Sequence, residues 1–161
     1  MKRKIFLLTL LLWFIIIFAN EAYGKAQSEG VVITGGDITL IISAATAGQQ
    51  PNPATDENTG LQYWGKGNNI YKITVETNLP SPKFTLKVKA VNLTSSKKGG
   101  NPGNAPSEVT IGKTATPLIT DITGGTHGNP HTCILRYTAS ATVEQGTGTD
   151  EHTIKYTITL Q

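Results

Sequence analysis

From residue 38 to the C-terminus, apolar side chains recur at every second position, and that period constrains what the chain can fold into. Ile38, Leu40 and Ile42 alternate with Thr39 and Ser43, and Tyr71, Ile73 and Val75 with Lys72, Thr74 and Glu76. Phe84, Leu86, Val88 and Ala90 form a third row, and Cys133, Leu135, Tyr137, Ala139, Ala141 and Val143 a fourth. Ile154, Tyr156, Ile158 and Leu160 form the last. A period of two gives a strand one buried and one wet face. Beyond residue 24 no window carries a sustained 3.6-residue apolar stripe. Shorter candidate strands are Val31–Thr34, Leu61–Trp64, Glu108–Ile111 and Pro117–Ile122. Seven to nine strands separated by Gly, Pro and Asn clusters predict an all-β fold, an antiparallel sandwich of immunoglobulin-like outline, with a barrel as the alternative. The single cysteine excludes the Cys…Trp…Cys pattern of true immunoglobulin domains, so the expected likeness is one of architecture.

The first 24 residues stand apart. Lys2, Arg3 and Lys4 precede an apolar run from Ile5 to Ala19, and Ala22-Tyr23-Gly24 supplies small residues where a signal peptidase reads. This layout predicts a secretory signal peptide over 1–24, cleaved before Lys25, and one domain over 25–161. A retained anchor is the competing reading, but a 15-residue helical run reaches only about 22 Å. Residues 25–161 carry 11 positive and 10 negative side chains, a net charge of +1. Nucleic-acid binding therefore loses its electrostatic basis, and no membrane association is expected once the leader is removed.

Matching the apolar rows predicts two hairpins. In one, closed by Asn78–Pro82, Ile73 lies beside Val88 and Val75 beside Leu86. In the other, Ala139 pairs with Tyr156 and Tyr137 with Ile158. Two segments, Thr46–Gly60 and Thr94–Ser107, are rich in Gly, Pro, Asn and Ser and are expected to be long loops.

Chemistry has little foothold in this chain. His127, His131 and Cys133 have a spacing that a transition metal can use, but the second hairpin separates His131 from His152. A buried thiol with solvated imidazoles is the expectation, and no cofactor or metal is implied. There is no G-x-S-x-G, S-x-x-K or H-E-x-x-H motif. Asp56-Glu57 and Asp150-Glu151 are adjacent acids whose side chains diverge in extended structure. Gly65-Lys66-Gly67 and Gly146-Thr147-Gly148 are turn glycines with no helix after them to make a phosphate loop. No enzyme is predicted.

Two binding surfaces are candidates. Tyr63 and Trp64 are adjacent in a strand, so one of them, taken as Trp64, is expected to be exposed as a platform for sugar. The first hairpin sets Lys72 against Lys89, with Lys87 on the same face. Opposed like charges are relieved by solvent or by an anionic partner such as an acidic glycan or envelope polymer.

The final strand, His152–Leu160, ends the chain on alternating apolar residues, and Gly148 lies fourteenth from the end. This resembles the C-terminal motif of chaperone–usher pilins and of the related spore-coat-U-like secreted domains. Val31–Ile33 and Ile38–Ile42 likewise look like a donor-strand extension. The resemblance implies a sandwich completed by a neighbour's strand, with self-assembly through strand exchange. The chain departs from the pattern in lacking the second cysteine of the usual disulfide and in carrying Leu160 where pilins favour an aromatic residue. Gly30, Gly35 and Gly36 interrupt the N-terminal segment, which favours a monomer in dilute solution. Together these features predict an exported, non-catalytic protein, periplasmic or extracellular, with a structural, surface or adhesive role at a bacterial envelope. A module binding glycan or another anion is the alternative.

Overall fold

The computed structural model describes residues 28–43 and 49–161. The predicted leader, 1–24, and its cleavage site lie outside the described residues. Among these there is no α-helix, and no helix is long and apolar enough to cross a membrane. The strands are β1 (Gly30–Thr34), β2 (Ala54–Trp64), β3 (Tyr71–Thr77), β4 (Thr85–Thr94), β5 (Gly100–Asn101), β6 (Val109–Thr110), β7 (Thr116–Gly124), β8 (His131–Ser140) and β9 (Ile154–Leu160). They form two antiparallel sheets, in the orders β1-β2-β8-β4-β6 and β5-β7-β3-β9, and the sheets do not close into a barrel.

The alternating rows build one core from both sheets. Tyr71, Ile73 and Val75 of β3 are buried with Leu118, Ile119 and Ile122 of β7 and Tyr156 of β9. From the other sheet come Leu61 and Tyr63 of β2, Val88 and Ala90 of β4, and Cys133, Leu135 and Tyr137 of β8. Each fully buried large apolar side chain contributes about 1.5–3 kcal/mol relative to exposure. Of the four register shifts in the sheets, one sets Ile73–Thr74 against Pro117–Ile119, and the other three are bulges at polar residues. Asp121 (φ 59°) is the extra residue in β7 opposite β3, and Asn92 (φ 55°) is the extra residue in β4 opposite β8. The third lies in β2 between Asp56 and Thr59, where the Asp56 carboxylate accepts the Asn58 N–H at 2.8 Å. Asp and Asn are the side chains that tolerate the left-handed region best.

Both predicted hairpins are overturned. β3 pairs with β7 and β9 and not with β4, and β8 pairs with β2 and β4 and not with β9. Residues 78–84 carry the chain from one sheet to the other, as do residues 141–153. Two apolar rows match as well when they face each other through a core as when they lie side by side, so row-matching alone does not distinguish the two arrangements.

Three boundaries also differ. Residues 38–42 keep the predicted alternation, with Ile38, Leu40 and Ile42 half-buried and Thr39, Ile41 and Ser43 exposed, but they form no strand. The expected loop over 46–60 is strand from Ala54 onward. Its run Thr55–Asn58 lacks apolar residues because much of it lies open to solvent at the unpaired border of β2. The fourth row stops at Ser140, and Val143 turns outward in a three-residue 3-10 helix.

Candidate functional site

At one end of the molecule the turn after β2, the loop after β4 and the end of β7 converge on His131. Strand alternation aims this side chain inward with Cys133 and Leu135, and it is fully buried. A buried imidazole must have both nitrogens satisfied. Nδ1 accepts the Ser96 N–H at 2.9 Å, and Nε2 lies 3.0 Å from the carbonyl oxygen of Thr123. A carbonyl only accepts, so Nε2 carries the proton and the ring is neutral. Burial holds its pKa below the ordinary histidine range, offset in part by the backbone carbonyl partner. Tyr63 packs against the ring at 5.6 Å between centroids and donates its hydroxyl to the Pro102 carbonyl at 2.7 Å. The prediction of solvated imidazoles therefore fails for His131.

Ser96 extends the same network. It is 6% exposed, its hydroxyl donates to the Asn129 carbonyl at 2.6 Å, and the same Ser96 Oγ accepts the Lys98 N–H at 3.0 Å. His131 thus holds two walls of a polar groove of about 370 Å³, one at Lys98–Gly100 and the other at Thr123–Gly124. Gly67 and Asn68 from the turn after β2 form the third side. Two glycines are demanded by this packing. A Cβ on Gly100 (φ 97°) would sit 2.1 Å from the Thr123 carbonyl oxygen, and one on Gly125 (φ 74°) would press on the His131 ring at 3.0 Å.

The predicted binding residues are dispersed. Trp64 is 8% exposed, its indole N–H donates to the Ser28 carbonyl at 2.7 Å, and the His127 ring meets it edge-on at 4.9 Å. Tyr63 is buried as well, so neither residue offers an open platform. Two adjacent residues both bury here because the inner face of β2 takes Tyr63 while the start of β1 and His127 cover Trp64 on the other side. The lysine face is likewise split. Lys72 stands opposite Thr159 in the four-stranded sheet, whereas Lys87 and Lys89 lie in the five-stranded one. Lys87 has Glu108 at 3.6 Å, and Lys89 faces Arg136, which is itself bonded to Glu57. Among the described residues no cluster of His, Cys, Asp and Glu has the composition of a metal site. The acid pairs have separate tasks: Asp56 holds the β2 bulge, Glu57 meets Arg136, and Asp150 accepts the Phe84 N–H at 2.7 Å.

The groove escaped the sequence because it is made of turn glycines and backbone. The one signal for it was the density of glycine and lysine in residues 65–68 and 97–100. No protein-family model, curated protein or solved structure matches the chain.

Proposed function

We propose that the chain is an exported, non-catalytic β-sandwich of immunoglobulin-like outline, with a structural or adhesive role at a bacterial envelope. Export rests on the basic and apolar layout of residues 1–24, and the outline is supported by two antiparallel sheets over a shared core. The observation that carries the adhesive reading is the set of strand edges left open. β1 and β9 each border a sheet, and they expose Val32, Ile33 and Leu160. Between β1 and β2, residues 38–43 run with alternating half-buried and exposed side chains, yet their backbone has no hydrogen-bonded partner among the described residues. An extended segment with unpaired amides and an apolar face is a template for strand addition by another chain. In this arrangement β1 serves its own sheet, pairing with β2 from Gly30 to Thr34.

The test is fractionation of an expressing bacterium with intact-mass measurement. The expected result is protein outside the cytoplasm that begins at Lys25 and is retained in the envelope fraction. Retention should be lost in the triple variant Ile33→Lys, Ile41→Lys, Leu160→Lys, all at exposed positions. Full-length protein confined to the cytoplasm, or retention indifferent to the three lysines, would overturn the reading.

A further inference from the structure

We propose that the polar groove beside His131 binds an acidic saccharide, a sugar chain bearing carboxylate or sulfate groups. Its volume of about 370 Å³ falls within the range of small-ligand clefts. Lys98 lines it, while Lys66 and Lys97 adjoin the lining residues in sequence, and all three are exposed. Among the described residues none of these ammonium groups has an ion-pair partner, whereas Lys87, Arg136 and Lys155 each have an acid nearby. No acidic residue lines the groove. A cleft lined by an unpaired lysine and by no carboxylate attracts an anion.

The rest of the lining selects the kind of anion. Gly67, Gly99, Gly100 and Gly124 all have positive φ and present bare backbone, which lets a ligand approach closely. Asn68 and Thr123 add a carboxamide and a hydroxyl suited to sugar hydroxyls. A neutral sugar would need an open aromatic face, and the aromatic side chains nearby in sequence, Tyr63, Trp64 and Tyr71, are buried. The same absence of a stacking platform disfavours single-stranded nucleic acid. The walls are also preorganised: His131 ties Ser96 to Thr123, so the groove requires little ordering when a ligand enters. The groove is lined by none of the exposed edge residues of β1 and β9 and does not depend on the reading built on them.

Amide chemical shifts of the protein, in the form recovered from its host, are followed with three probes: a tetramer of galacturonate, a neutral galactose tetramer and inorganic sulfate. The expected result is saturable shifts at Gly67, Asn68, Lys98, Gly99, Gly100, Thr123 and Gly124 with the galacturonate tetramer. The neutral sugar should give none, and sulfate should bind more weakly. Affinity should fall about tenfold, equivalent to about 1.4 kcal/mol, in Lys98→Ala/Asn68→Ala. Both positions are exposed, so the unshifted remainder of the spectrum reports an intact fold. Equal binding of the neutral tetramer, sulfate binding as tightly as the galacturonate tetramer, shifts located elsewhere or undiminished affinity in the double variant would each overturn the proposal.

Discussion

Tyr137 and Tyr156 meet hydroxyl to hydroxyl at 2.6 Å across the core, one from each sheet. Both are buried, and burial pushes both phenols up. Each hydroxyl is the other's hydrogen-bond partner, so removing one leaves the other short of a bond inside the core. Tyr137→Phe and Tyr156→Phe should each cost about 1–3 kcal/mol, and the double variant less than their sum. Urea unfolding of the four proteins measures the coupling. Strict additivity would show that the two hydroxyls do not act as a pair.

That same pair marks where the sequence becomes ambiguous. The rows containing Tyr137 and Tyr156 are plain in the sequence, and so are the burial of Ile73, Val88 and Leu135 and the all-β class. What the rows do not carry is partner choice, because an apolar face is satisfied equally by a neighbour in its sheet or by the opposing sheet. The lysine face followed from the wrong choice for β3 and β4, and it dissolved once Lys72 and Lys89 were placed in different sheets. His131 was obscured for another reason. Its position on the Cys133 row was visible, but the two backbone groups that allow a histidine to be buried there lie 35 and 8 residues away. Polar strand residues such as Asp56 and Glu57 carry no periodic signal because much of this stretch of β2 lies open to solvent at an unpaired border.

Burial of a neutral His131 makes stability depend on pH. Its folded pKa lies below the ordinary value of 6.5, so the unfolded chain takes up a proton more readily than the folded one. The contribution is fully present above about pH 6.5 and declines as pH falls toward the folded value. Tyr63 and Cys133, its ionisable neighbours in the core, stay neutral throughout this window, since burial pushes both upward. His131→Leu should lower stability by about 2–4 kcal/mol at pH 7.5, because the Ser96 N–H and the Thr123 carbonyl lose their partner. It should also flatten the decline below about pH 6.5. Thermal unfolding across that range checks both effects, and an unchanged slope in the variant would assign the pH dependence to other groups.

Cys133 is expected to be inert in the folded protein. The side chain is 5% exposed, and burial pushes its thiol up to about 11. The reactive thiolate is therefore a very minor species near neutral pH. Labelling with a thiol reagent should run at least about a hundredfold slower in native protein than in urea. Rapid native labelling would mean that β8 does not present this face to the core.

Gly99 and Gly100 separate backbone strain from collision. Both have positive φ, 84° and 97°. A Cβ on Gly99 would meet nothing within 4 Å, whereas one on Gly100 would lie 2.1 Å from the Thr123 carbonyl oxygen and 2.9 Å from the Gly124 Cα. Gly99→Ala therefore carries only the left-handed backbone penalty, about 1 kcal/mol. Gly100→Ala carries that penalty and must also push β5 from β7, for a total of about 2–4 kcal/mol. The displacement should extend to His131, because the Thr123 carbonyl that would be struck is the one that accepts from its Nε2. The His131 ring signals in the NMR spectrum should then shift in Gly100→Ala and stay in place in Gly99→Ala. Equal destabilisation by the two substitutions, with the His131 signals unmoved in both, would show that β5 is not held against β7 as described.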